Sequence, residues 1–222
     1  MTEERIGKIA ELLESTYPDA VCELDFRTPF QLLVATILSA QCTDVRVNQV
    51  TPGLFRRFPG PEEMASASLA ELEEIIRSTG FFRNKARSIR NAARLIVMEF
   101  GGELPRRLED MLALPGVGKK TAKVVLGEAF AIPVGIAVDT HVRRLAGRLG
   151  LSAARDPDRI SADLESLLPR EKWLGFSLRM VLHGRRVCRA RSPECGECAL
   201  EALCPTARGC RRGHFDGSSL FR

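Results

Sequence analysis

The residues that most clearly offer chemistry are two lysines and a carboxylate in the middle of the chain. Lys119 and Lys120 stand directly after a glycine-rich segment, and Asp139 follows within the run Val138-Asp139-Thr140-His141. A neutral lysine amine is a nucleophile, and a carboxylate can assist proton transfer or stabilise developing positive charge. Taken singly, Lys120 also fits a solvated helix lysine and Asp139 fits a plain helix N-cap.

The segment Leu114-Pro115-Gly116-Val117-Gly118 interrupts two runs of helical apolar spacing and predicts a helix-hairpin-helix over about residues 108–130. A helix that begins directly after glycines presents backbone N–H groups without intrahelical partners and a positive dipole end, which suits a phosphate oxygen. Side chains at either glycine would block that approach. We therefore expect phosphate contacts from Gly116, Val117, Gly118 and Lys119. The alternative is an ordinary helix connection whose lysines are solvated.

Four of the seven cysteines lie close together near the end of the chain: Cys188, Cys195, Cys198 and Cys204. In a cytoplasmic protein, cysteines at this density coordinate zinc or an iron–sulfur cluster more often than they form disulfides. Spacing alone leaves both open, although the absence of two separated Cys-x-x-Cys pairs favours iron and sulfur over a zinc ribbon. The other cysteines, Cys22, Cys42 and Cys210, are expected to be plain thiols.

Composition and charge favour an anionic partner. The chain of 222 residues has 33 Lys and Arg against 28 Asp and Glu, a formal net charge of +5 and a pI of about 9.0. Arg189 and Arg191 follow the first clustered cysteine, where they are expected to contact phosphates, the alternative being a solvated basic surface. No segment reads as membrane-spanning and the first residues do not resemble a secretory signal. We expect a cytoplasmic monomer, associated with the nucleoid if the source is bacterial.

The elements that must position these residues are helices, because no convincing period-two strand occurs, and we predict an all-α fold. Thr28-Pro29 starts a helix that ends near Gln41, so Gln41 lies at a helix junction, where a side chain can point at a ligand. Phe81 and Phe82 are placed in a short basic loop. Both rings are most simply core residues, but at least one can be exposed. Predicted apolar faces include Val45, Val47 and Val50 in the helix capped by Thr43, and Trp173, Leu174, Leu178 and Leu182 in the last helix.

The run LPGVGKKTAKVVL, followed after a short interval by VDTHV, resembles the signature of the endonuclease III family of DNA glycosylases. The resemblance covers nearly the whole chain, as far as Cys204. It implies that Lys120 is the nucleophile, that Asp139 is the catalytic carboxylate, and that His141 belongs to the DNA-binding surface. It also implies that the four clustered cysteines hold a [4Fe-4S] cluster.

The same resemblance implies how the chain is divided. Residues 23–133 would form a helical bundle with the hairpin, residues 1–22 and 134–204 would form the cluster domain, and residues 205–222 would be a flexible tail. Lys120 is then expected to be buried opposite Asp139 in a cleft that receives a flipped nucleotide. Gln41, within LSAQCTD, and Phe81 correspond to the residues that fill the space left in the duplex.

The function implied by the resemblance is that of a bifunctional DNA glycosylase and AP lyase of base excision repair. It would remove oxidised pyrimidines from duplex DNA and cleave abasic sites by β-elimination. One alternative is a mismatch glycosylase of the same superfamily, specific for thymine, uracil or adenine. Adenine-specific members typically lack the lysine, whereas Lys120 is present here. The other alternative is a non-catalytic iron–sulfur DNA-binding protein.

Overall fold

The computed structural model describes residues 3–207, and the regular elements in that range are all helical, which confirms the predicted all-α fold. Short 3₁₀ turns connect some of the helices. The α-helices among these residues are α1 (Glu3–Thr16), α2 (Pro29–Leu38), α3 (Asp44–Arg57), α4 (Pro61–Ser66), α5 (Leu69–Ile76), α6 (Phe82–Phe100), α7 (Leu108–Ala113), α8 (Lys119–Phe130), α9 (Thr140–Arg148), α10 (Pro157–Leu167) and α11 (Trp173–Arg186).

The chain divides into two compact units. Residues Cys22–Val134 form one, here called the α2 unit. The described parts of Met1–Val21 and Gly135–Arg222 form the other, here called the α9 unit. Each unit has its own core of buried apolar side chains, so each is held together by its own packing.

The α2 unit is built around α2, of whose 10 residues all but Pro29 are buried. The helix begins where the sequence predicts, because the Thr28 side chain accepts the N–H of Gln31 and Pro29 occupies the first turn. Helices α3, α6 and α8 pack against α2. The central helix therefore fixes the positions of α6 and α8, which carry the candidate functional residues.

Helix α3 shows a correction to the predicted apolar face. Thr43 caps the helix as expected, and its side chain accepts the N–H of Arg46. Val47 is buried, but Val45 is 69% exposed. The buried row continues through Thr51 and Leu54, so a threonine takes a core position that apolar spacing does not reveal.

The α9 unit buries α1, α9, α10 and α11 around a second core. In α11 the predicted apolar face is only partly right, because Leu182 is buried whereas Trp173, Leu174 and Leu178 are half-buried. The deeply buried row is Phe176, Met180, His183 and Gly184. It includes a histidine and a glycine, which apolar spacing does not reveal.

No helix among residues 3–207 is both long enough and apolar enough to cross a membrane. At the start of the predicted tail, the Thr206 hydroxyl donates to the Arg148 carbonyl at 2.7 Å and Ala207 is buried. The remainder of that tail, including Cys210, lies outside the described residues.

Candidate functional site

Gly116 joins α7 to α8 in a conformation that favours glycine. Its φ is 81°, and a Cβ there would lie 2.6 Å from the Ser88 Cβ of α6 and 3.8 Å from Ile37 of α2. The backbone angle and the close approach to Ser88 each disfavour a side chain. The hairpin turn therefore packs directly against α6 and α2.

The N-terminal end of α8 is open to solvent. Gly118 is the N-cap, and a Cβ at this position would meet no atom within 4 Å. Lys119 and Lys120 follow in the first turn, and both are exposed, so the expected burial of Lys120 is not observed. First-turn amides lack intrahelical acceptors and the dipole is positive at this end, which makes the end of α8 suitable for an anion.

Val117 differs from the other residues expected to contact phosphate. Its side chain is buried in the core of the α2 unit, and its N–H donates to the Leu114 carbonyl at 3.1 Å. This amide is already used inside the turn. Val117 therefore shapes the hairpin, and an anion at this end would rely on its neighbours.

Asp139 is the N-cap of α9, as its position in the sequence allows. Its Oδ1 accepts the N–H groups of His141 and Val142, both at 2.8 Å. These two bonds fix the orientation of the carboxylate at the positive end of the helix. Asp139 is therefore an N-cap. Because both amides donate to Oδ1, capping does not occupy Oδ2.

His141 is held on α9 by an arginine. The Nη2 of Arg144 lies 3.1 Å from His141 Nδ1, and because arginine only donates, Nδ1 must accept. Arg144 also donates to the carbonyls of Gly184 at 2.8 Å and Cys188 at 3.1 Å. The arginine thus connects the segment that begins at Asp139 with the start of the cysteine loop.

Gln41 and Phe81 lie on two exposed turns of the α2 unit, one after α2 and one before α6. Their φ angles are 53° and 49°, left-handed values that non-glycine residues seldom adopt. Among residues 3–207 the only other such residue is Ala131, at the C-terminal end of α8. Phe81 is 65% exposed, whereas Phe82 is half-buried as the first residue of α6, so its predicted loop position is wrong.

The four clustered cysteines line one cavity of about 30 Å³ in the α9 unit. None of the six cysteines in the described range forms a disulfide. Within that range, no three His, Cys, Asp or Glu side chains converge closely enough to hold a single metal ion. Burial raises the pKa of the Cys198 and Cys204 thiols, which favours their protonated forms as long as no cation is bound.

Arg148, which the sequence does not single out, organises the loop after α11. It is 6% exposed and donates to the carbonyls of Cys188 and Arg189, with Nη1 also 3.2 Å from the Cys188 sulfur. Arg5 of α1 donates to the Leu203 carbonyl at 2.7 Å. Two arginines therefore hold opposite ends of the cysteine loop.

His183 contacts a second cysteine of the cavity. The ring is 2% exposed, with Nε2 3.3 Å from the Cys198 sulfur and Nδ1 3.0 Å from the Tyr17 hydroxyl. Burial lowers the pKa of His183 to about 4, so the ring is neutral at physiological pH and has one donor and one acceptor nitrogen. A single histidine in an apolar helix gives no sequence signal of such a contact.

The two arginines expected to contact phosphate differ in their surroundings. Arg189 forms an ion pair with Glu194 and donates to the Arg186 carbonyl. Arg191 has an exposed side chain. The pairing with Glu194 offsets part of the charge of Arg189, which makes Arg191 the more accessible of the two for an anion.

Comparison with known proteins identifies the family. Residues 34–170 match the HhH-GPD superfamily of base excision DNA repair proteins. Endonuclease III of Synechocystis sp. is 57% identical over 205 residues, 92% of this chain and 94% of that protein. The chain belongs to the endonuclease III family of this superfamily. Endonuclease III of Bacillus subtilis is 44% identical over 189 residues, 85% of this chain and 86% of that protein.

The relationship to endonuclease III extends to three dimensions. A solved structure of a trapped endonuclease III–DNA covalent intermediate matches with a TM-score of 0.90 and 41% identity, covering 96% of this chain and 99% of that one. The superfamily match includes the hairpin glycines, Lys120 and Asp139, while the four clustered cysteines lie beyond it. The two-unit helical fold described above is thus the fold of endonuclease III.

Proposed function

We propose that this protein is a bifunctional base excision repair enzyme: a DNA glycosylase and AP lyase that removes oxidised pyrimidines from duplex DNA and cleaves abasic sites. The observation that carries the proposal is 57% identity to an endonuclease III over 92% of the chain. The match to an endonuclease III trapped as a covalent DNA intermediate supports a nucleophilic mechanism. Oxidised pyrimidines are the substrate class implied by the family.

Lys120 is the proposed nucleophile. Its neutral amine attacks C1′ of a nucleotide flipped out of the duplex, and the N-glycosidic bond breaks as the base leaves with the bonding electrons. The attached nitrogen loses a proton, its lone pair expels O4′ from C1′, and O4′ takes up a proton, which leaves a protonated Schiff base between Lys120 and C1′. Loss of a proton from C2′ then breaks the C3′–O bond, the 3′ phosphate leaves with the bonding electrons, and the strand is nicked 3′ to the lesion. The exposed position of Lys120 in the first turn of α8 supports this role, because the attacking amine must be accessible.

Asp139 is the proposed carboxylate partner. It stabilises the positive charge that develops on the sugar and assists proton transfer. Its support is geometric, since the two amides bound to Oδ1 hold the carboxylate in one orientation before DNA arrives. A preoriented charge costs no reorganisation at the moment of reaction.

The proposed DNA contacts lie on the turns of Gln41 and Phe81, in the hairpin, on α9 and in the cysteine loop. Gln41 and Phe81 fill the space left by the flipped nucleotide, and their exposure on separate turns supports this. Phosphate and backbone contacts are assigned to Gly116, Gly118, Lys119, His141, Arg189 and Arg191, and Val117 supports them by shaping the hairpin. We propose that the protein acts as a monomer and, because its relatives are bacterial and its substrate is chromosomal, in the cytoplasm on the nucleoid.

Cys188, Cys195, Cys198 and Cys204 are proposed to hold a [4Fe-4S] cluster. Four sulfur donors around one cavity fit such a group, since each iron of the cluster takes one thiolate. When bound, the cluster joins the ends of a loop that has little core of its own. In this chain Arg148 and His183 lie against two of the donor sulfurs, where their N–H groups can stabilise thiolate charge.

Borohydride trapping on an abasic or oxidised-pyrimidine duplex tests the proposal. Lys120→Ala should abolish both base release and the trapped adduct while duplex binding survives. Lys119→Ala is the matched control, because it removes a neighbouring exposed amine and should still form the adduct at saturating enzyme. Base release by the unchanged protein without any adduct would instead indicate a monofunctional mismatch glycosylase, and binding without either reaction would indicate a non-catalytic protein.

A further inference from the structure

Lys85 is a buried cation whose hydrogen bonds connect the two turns that carry Gln41 and Phe81. Its side chain is 5% exposed, and its ammonium donates to the carbonyl of Leu38 at 2.8 Å and to the carbonyl of Thr79 at 2.7 Å. Leu38 is the last residue of α2, directly before the Gln41 turn. Thr79 ends the 3₁₀ segment directly before the Phe81 turn. One nitrogen therefore bonds the base of both turns.

The backbone of Lys85 adds a third connection. Its N–H donates to the Phe81 carbonyl at 3.1 Å, as part of the first turn of α6. The residue thus contacts the Phe81 turn through its main chain and the end of α2 through its side chain. Carbonyls at helix ends lack intrahelical partners and attract cations, so the ammonium satisfies groups that the fold leaves open.

The chemical nature of Lys85 is unfavourable for simple filling of a core. Burial lowers the pKa of its ammonium, which reflects the cost of removing a charge from water. A position that required only volume would take an apolar side chain at lower cost. The two bonded carbonyls supply the reason for a cation here, since they need a donor that reaches both.

The two turns share a strained backbone. Gln41 and Phe81 both have left-handed φ angles, and such conformations persist in non-glycine residues only where the surrounding structure holds them. Lys85 bonds the carbonyls of Leu38 and Thr79, directly before the two turns, and the carbonyl of Phe81.

We propose that Lys85 is a positioning residue that holds Gln41 and Phe81 as one preassembled wedge, so that both side chains enter the duplex together. The inference rests on the proposed function, in which these two residues fill the space of a flipped nucleotide. Preassembly removes the cost of ordering two separate loops on DNA. Lys85 itself touches neither the DNA nor the reacting atoms.

Lys85→Met tests this role because it keeps a long side chain and removes every donor of the ammonium. Base release from a lesion duplex should slow by about tenfold or more in single turnover, the scale expected for a misplaced positioning group. The borohydride adduct with an abasic site in a single strand should form at the unchanged rate, since a single strand has no stacked space to fill. Arg94→Met is the control, because Arg94 also lies on α6 and its side chain bonds a carbonyl remote from both turns, that of Ala65 at 3.0 Å. It should leave both rates unchanged.

Equal losses on the duplex and on the single strand would overturn the positioning role, because a merely structural residue lowers both in proportion to the folded fraction. An unchanged duplex rate would overturn it as well. Failure of the unchanged protein to form a borohydride adduct with an abasic or oxidised-pyrimidine duplex would overturn the proposed function itself. If the adduct forms but the Lys85 prediction fails, only the positioning role is overturned and the proposed function is unaffected.

A second measurement keeps Lys85 intact and does not depend on the folding of its variants. Gln41→Ala and Phe81→Ala are combined in a double-mutant cycle of base release from duplex. If the two side chains act as one wedge, the double variant should lose little more base-release activity than either single variant. Losses that multiply would show two independent side chains and would overturn the proposal.

Discussion

Phe81 and Phe82 are adjacent in sequence but differ in what their rings contact. Phe81 is 65% exposed, whereas the Phe82 ring packs against the core of the α2 unit with the Arg77 and Arg83 guanidiniums 5.8 and 5.5 Å from its centroid. Phe81→Ala should weaken binding to a lesion duplex by about 1 to 3 kcal/mol, the range for base–aromatic stacking. Its melting temperature should be nearly unchanged, because an exposed ring contributes little to folding.

Phe82→Ala is the matched control for this prediction. Removing a half-buried ring should lower the melting temperature, with a cost of up to about 3 kcal/mol, while activity per folded molecule is retained. Duplex affinity is measured by fluorescence anisotropy at fixed salt, because salt sets the non-specific part of binding. A large fall in melting temperature for Phe81→Ala with unchanged affinity would assign the wedge to Phe82.

Individual side chains show where sequence reasoning stops. The sequence predicts that at least one ring of the pair Phe81-Phe82 can be exposed. Only the packing of α6 against its neighbours decides which ring this is. Lys85 reads as one more cation in a basic loop, yet it is buried, because its partners are main-chain carbonyls that no residue pattern encodes. The contacts of His183 and Arg148 have no sequence signal either, since their partners come from distant parts of the chain.

In α9, the contribution of Asp139 to stability can be measured separately from its proposed contribution to catalysis. Asp139 caps this helix, and an asparagine oxygen can accept the same two amides. Asp139→Asn should therefore keep the melting temperature while slowing base release, because it removes the charge and retains the cap. Asp139→Ala should in addition lose about 1 kcal/mol of stability through the missing cap.

Thermal unfolding and single-turnover base release together check the Asp139 prediction. Asp156→Asn is the matched control, since Asp156 caps α10 through the N–H of Arg159 and has no proposed catalytic role. It should leave both measurements unchanged. Full base-release activity in Asp139→Asn would show that the residue is only a cap.

Helix starts were predictable because capping is local. Thr28, Thr43, Ser68, Asp139 and Asp156 each accept a backbone N–H at the start of a helix, and each carries its signal within a few residues of sequence. Buried faces were less predictable, because they depend on which neighbour packs where. Val45 in α3 and the buried row that includes His183 in α11 show this, and so does α4, a six-residue helix with one buried side chain.

At the scale of the whole molecule, the proposed tasks are divided between the two units. The α2 unit carries the hairpin, Lys120 and the two turns, and the α9 unit carries Asp139 and the cysteines. The cysteine loop has little packing of its own, since its two short 3₁₀ segments contain no buried residue, although Leu200 between them is buried. Its order therefore depends on the hydrogen bonds of Arg148 and Arg5 and on the proposed cluster.

The purified protein is expected to be brown and to contain iron and sulfide in nearly equal amounts. Cys198→Ser should lose the colour and lower the melting temperature, because the loop then loses a donor that its few core contacts cannot replace. Cys22→Ser is the control: Cys22 lies in the α2 unit, packed against its core, and its loss should leave colour and iron content unchanged. Absorbance spectra, iron and sulfide analysis and thermal unfolding measure these outcomes. A colourless protein with one zinc per chain and no iron would contradict the cluster and favour a zinc site on the same four cysteines.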